Sequence, residues 1–119
     1  MAAPNIVNVT TINGKTAVQN VTTVATDIVT NSAASGKVFK INSLVISNID
    51  GTSAADITAS LYRSSVEYKV AHTISVPADA ALVVISKDTS IYLEEGDAIR
   101  LTASANSDLH AVCSYEEIS

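Results

Sequence analysis

The chain has 119 residues, a length that fits one domain whose core needs neither disulfides nor a structural metal. Apolar residues make up 47% and charged residues 16%, which excludes disorder, and the mixture of Val, Ile, Ala and Leu with Ser and Thr, without Trp, favours strands. Seven basic against twelve acidic residues leave a net charge of −5, which repels phosphate backbones and anionic lipid alike, so neither nucleic acid nor a membrane surface is an expected partner.

The opening MAAPNIVNVTT lacks the basic segment and apolar stretch of a secretory signal, and no run approaches transmembrane length. Asn13-Gly14 lies between IVNVTTI and KTAVQNV, and this dipeptide suits the left-handed dihedrals of a tight hairpin turn. NVTT begins at Asn8 and again at Asn20, which reads as two similar strand segments; both copies are also glycosylation sequons, unused without secretion. TVATDIVTNSAASGKV follows as an irregular strand and a small-residue loop ending at Gly36. Residues 1–35 are therefore expected to form a hairpin or arm that engages a neighbouring subunit, and residues 36–119 a separate β-sandwich.

Val38 to Ile49 is the most apolar run. Simple alternation puts Phe39, Ile41, Val45 and Ile49 on one face and Val38, Leu44 and Ile46 on the other. A strand apolar on both faces is either central or covered by another subunit, which makes Val38, Leu44 and Ile46 the candidate interface. Asp50-Gly51 ends the run, and ADITASLYR alternates with Ile57, Ala59 and Leu61 inward. VEYKVAHTISV runs to Pro77, and AALVVI, SIYLEE, AIRLTAS and LHAVCSYEE complete about eight or nine strands. Their short, regular spacing predicts an all-β antiparallel sandwich or jelly roll. Ile41, Leu61, Leu82, Leu101 and Val112 are expected in one core.

Candidate chemistry is sparse. Glu94, Glu95 and Asp97 crowd around Gly96, between two strands, and read as a solvated hairpin tip whose aspartate bonds the loop backbone. His72 and His110 lack any spacing that would bring them to one ion, and Asn48, Asp50 and Asp56 lack the alternating ligands and terminal glutamate of a calcium loop. Cys113, the single cysteine, falls inside a strand pattern and reads as a buried thiol, consistent with folding in a reducing compartment. No phosphate loop or nucleophile elbow is present. No catalytic, cofactor-binding or metal residue is assigned, and an enzyme is not expected.

Four elements together carry a resemblance: the N-I-D-G turn at Asn48–Gly51, the V-P-A-D corner at Val76–Asp79, the L-E-E-G-D turn at Leu93–Asp97, and the S-Y-E-E near the terminus at Ser114–Glu117. From Gly36 to Ser119 the chain resembles the small all-β virion structural proteins of tailed bacteriophages, especially those of aquatic cyanobacteria. The resemblance implies a protein made in the host cytoplasm and carried in the virion, with no cofactor. It implies self-association, with a trimer suited to local threefold positions, and contact with the major capsid protein or other virion proteins. Capsid decoration (cement) leads, with a neck, tail or fibre component as the alternative. A carbohydrate-binding adhesin module is the reading from another class; such sites present aromatic platforms, and here only Tyr62, Tyr68, Tyr92 and Tyr115 are available.

Overall fold

The computed structural model describes residues 4–119; residues 1–3 of the expected arm lie outside them. The strands are β1 (Ile12–Val21), β2 (Thr26–Thr30), β3 (Val38–Asn48), β4 (Ala55–Arg63), β5 (Val66–Val76), β6 (Ala81–Ile85), β7 (Ile91–Leu93), β8 (Ala98–Ala103) and β9 (Leu109–Ile118), with one turn of 3-10 helix at Lys87–Thr89. They form two antiparallel sheets. One has the order β1-β9-β3-β6, with β7 sharing the β3 edge with β6; the other has the order β2-β8-β4-β5. Successive strands repeatedly change sheet, so most connections cross the ends of a sandwich about 49 Å long.

The inner faces meet in a core built from Ile41, Leu44, Ile46, Ile57, Leu93, Ile99, Leu101 and Leu109, all fully buried. In β8, Ile99, Leu101 and Ala103 point inward and Arg100 and Thr102 outward, as alternation predicts. Of the five residues expected in the core, Ile41 and Leu101 are fully buried, and Leu61 and Leu82 pack against the cluster from its margin. Val112 is 41% exposed, because Leu109, Ala111 and Cys113 are the inward residues of β9.

Three expectations are corrected. Asn13-Gly14 makes no turn: both residues lie inside β1, opposite Glu117 and Glu116 of β9. Ten continuous pairs with a distant strand outweigh a local dipeptide preference. The tight hairpin is instead Ser64-Ser65 between β4 and β5, with φ of 52° and 62°, the left-handed pair that a two-residue loop demands. The boundary at residue 35 is likewise absent from the fold. β1 and β2 are edge strands of the two sheets, and their Val21 and Val29 are buried in the common core.

The last correction concerns the candidate interface. The register of β3 against β9 shifts between Ile41 and Ser43, and this bulge changes the phase of the strand. Phe39 and Ile41 before it, and Leu44 and Ile46 after it, therefore share the inner face. Leu44 and Ile46 are fully buried in the chain's own core, and Val38 is 7% exposed at the strand's start. After the bulge the outward-facing apolar residue of β3 is Val45, directly opposite Val112 of β9 and Val83 of β6.

Candidate functional site

The most developed polar constellation lies at one end of the sandwich, where the β7–β8 turn, the β4–β5 hairpin and the loop between β2 and β3 converge. Glu94 to Asp97 does form a turn, closed by the Asp97 amide donating to the Glu94 carbonyl at 3.0 Å, with Gly96 at φ 90°. It joins strands of different sheets and is not a hairpin tip. Its aspartate is not solvated either. The Asp97 side chain is 3% exposed and accepts from Arg63 Nε at 2.8 Å, Arg63 Nη2 at 2.5 Å and the Glu94 amide at 2.9 Å. Arg63 Nη2 also reaches Glu94 Oε2 at 2.8 Å.

This fork of guanidinium on carboxylate, with a backbone donor filling the remaining lone pair, is the arrangement that makes a buried charge tolerable. Burial alone would raise the Asp97 carboxyl, but the Arg63 hydrogen bonds and charge and the Glu94 amide hold it below the ordinary carboxylate value. Arg63 is held above its own ordinary value, first by its hydrogen bonds to Asp97.

Asn31 extends the constellation inward. Fully buried at the end of β2, it donates to the carbonyls of Lys37 and Leu93 at 2.9 and 3.0 Å and accepts from Ser35 Oγ at 2.5 Å. Its backbone exchanges bonds with Asp97 and Gly96, and Glu95 accepts from the Gly36 amide at 2.9 Å. Glu117 lies between Lys37 at 2.6 Å and Lys15 at 3.0 Å, and its carboxyl is held low, first by Lys37 and then by Lys15. Asn48 does at the other end what Asn31 does here. It donates to Ser53 and Val76 and accepts from the Asp50 amide, while Asp50 accepts from both the amide and the hydroxyl of Thr52. The buried Asn31, Asn48 and Asp97 side chains are spent on loop backbone, on a neighbouring hydroxyl or on a fixed ion pair, which is the chemistry of a clamp.

Sequence reasoning placed the Asp50-Gly51 and Gly96-Asp97 loops and named Asn48 as the start of its turn, but it missed Arg63 and Asn31 and the buried bonds that Asn48 makes. Their one visible signal is a polar residue at a strand end, and its partners lie up to 62 residues away. His72 and His110 lie on different sheets, on β5 and β9. Among the described residues no group of three or more His, Cys, Asp or Glu is placed to hold a metal, and no helix is long and apolar enough to cross a membrane. Cys113 faces the core, and burial pushes its thiol up to about 11.

The two outer faces differ in kind. On the four-stranded sheet, Arg100 bonds Asp27 at 2.8 Å and lies over the Tyr62 ring at 3.5 Å, so that face is charged and already paired. The five-stranded sheet carries Val18, Val83 and Val112 on its outer face, each at least 41% exposed.

The chain is thus an antiparallel two-sheet β-sandwich whose ends are fixed by these clamps. No family model matches the chain, and no curated protein matches it. Among solved structures, the fold is similar to that described under "Bacillus endospore appendages form a novel family of disulfide-linked pili", with a TM-score of 0.54 and 15% identity, covering 92% of this chain and 87% of that one. At that identity the likeness is one of fold.

Proposed function

We propose that this chain is a non-enzymatic structural subunit of a tailed-bacteriophage particle, which associates with copies of itself and binds the particle surface as a capsid decoration protein. The observation that carries the reading is the amount of large apolar side chain left in the open. Ile12, Val18, Val66, Tyr68, Ile74, Val83 and Val112 are all more than 40% exposed, on strands of both sheets. A domain of this size that works alone rarely leaves so much uncovered. Two further observations support it: the fold is one also built by a pilus subunit, and residues 36–119 resemble small phage virion proteins.

The appendage protein is described as disulfide-linked, whereas the single cysteine of this chain is buried in the core. Copies of this chain are therefore held together by non-covalent contact, and their number follows from the surface they share. The adhesin reading has less support. Tyr62 is covered by Arg100 and Tyr115 is stacked on Phe39, leaving Tyr68 and Tyr92 on strands of different sheets with no common platform.

The test is a cryo-electron reconstruction of the particle with antibody labelling of this chain. Density of this fold at capsomer junctions supports decoration, density at the tail or neck transfers the assignment there, and absence from the particle refutes the virion reading.

A further inference from the structure

The outer face of the five-stranded sheet carries a continuous apolar row that the sequence pattern did not reveal. Val18 of β1 stands opposite Val112 of β9, Val112 opposite Val45 of β3, and Val45 opposite Val83 of β6. Four valines in register thus cross four strands. The rows on either side hold no carboxylate, lysine or arginine: Asn20, His110 and Ser47 on one, Thr16, Ser114 and Ser43 on the other. The nearest charges in register on that face are Lys40 and Glu116, two rows from the valines and opposite each other. A shallow depression of about 340 Å³ opens beside the row, lined by Val18, Asn20, His110 and Val112 among others.

We infer that this face is the contact between two copies of the chain, packed sheet against sheet about a twofold axis. The inference deepens the reading of the chain as a self-associating subunit and replaces the trimer that the resemblance implies. A second copy fits for three reasons. The first is charge: each chain carries −5, so two copies approach favourably only through a surface free of carboxylates, and the valine row with its flanking rows is such a surface. The second is area. Three strands of ten or eleven residues and β6 of five, spaced about 4.8 Å apart, present roughly 550 Å² per copy, so a matched pair covers roughly 1,100 Å², at the lower edge of specific interfaces. The third is shape: the depression lies at the Val18–Val112 end of the row, so a twofold contact that runs the two rows antiparallel sets the Val45–Val83 end of each copy over the depression of the other.

The competing surface is the β5 edge, with Val66, Tyr68, Val70 and Ile74 exposed. Its pairing with β4 shifts register twice between Ile57 and Ser60, and Thr73 sits at φ 46°. An edge bulged in this way resists the addition of another strand.

Light scattering coupled to size-exclusion chromatography of the full chain at about 100 µM tests the inference, the protein concentration being chosen to populate a micromolar dimer. The wild type is expected at twice the 12.3 kDa chain mass, and Val18→Lys and Val112→Lys at the monomer mass with an unchanged circular dichroism spectrum. Should a lysine variant fail to fold, the isosteric double variant Val18→Thr, Val112→Thr is expected to weaken dimerisation at least tenfold. A wild-type monomer at that concentration overturns the inference, as does a trimer or larger assembly that both lysine variants leave intact. A dimer broken by lysine in a protein absent from phage particles retains this interface and removes only the virion assignment.

Discussion

Replacing Arg63 by Ala removes three hydrogen bonds at once, two to Asp97 and one to Glu94, and leaves a carboxylate that is 3% exposed with only the Glu94 amide. Breaking a fully buried pair from one side costs about 3–5 kcal/mol. Here the Arg63 side chain is 41% exposed, so water reaches the vacated site and the cost is discounted to about 1–3 kcal/mol. For a domain of this size, at roughly 4 °C per kcal/mol, that lowers Tm by about 4–12 °C. The sign of the pH dependence follows from the depressed Asp97 carboxyl. The stabilisation is fully present above the unfolded carboxyl value of about 3.9 and is lost as pH falls through the lower folded value. The gap between wild type and Arg63→Ala is therefore widest near neutrality and narrows in acid, where Asp97 is protonated in both proteins. Differential scanning calorimetry from pH 7 to pH 2.5 reads both effects. A gap below 1 °C at pH 7, or one that widens on acidification, refutes the argument that the pair is a structural clamp.

Leu101→Ala, at a fully buried position of β8, is expected to cost about 2–5 kcal/mol in urea unfolding, while Val112→Ala costs under about 1 kcal/mol because that side chain is 41% exposed; equal losses would mean that the inward phase of β9 is misassigned. Ser64→Asn combined with Ser65→Gly supplies the residues that a left-handed two-residue turn prefers, and should raise Tm by about 4 °C, from roughly 1 kcal/mol of relieved backbone strain; a lowered Tm would contradict the turn geometry. Cys113, fully buried with its thiol pushed up to about 11, should react with a thiol reagent at pH 8 only on unfolding, so rapid labelling of the native protein would show that β9 opens locally.

Alternation by itself determined the class of this protein and much of its strand content. In β8 the pattern Ile99, Arg100, Leu101, Thr102, Ala103 is readable because a regular strand presents successive side chains to opposite faces, and nothing interrupts that period. The same logic located Asp50-Gly51 and Gly96-Asp97, since loop chemistry is local. Tertiary structure decided the rest, wherever pairing with distant strands outweighs a local preference. The bulge after Ile41 turns Leu44 and Ile46 into the core and Val45 outward, and no residue in Val38 to Ile49 announces it. Asn13-Gly14 is absorbed into β1 because β9 offers it a full ladder, while Ser64-Ser65 is bent into a turn by the strands on either side. Arg63 becomes the partner of Asp97, and Val18, Val45, Val83 and Val112 become one row, only when chain segments far apart in sequence are set in register. Register is a property of the assembled sheet: a slip of one residue reverses every side chain, and only the burial of a whole face selects between the two phases.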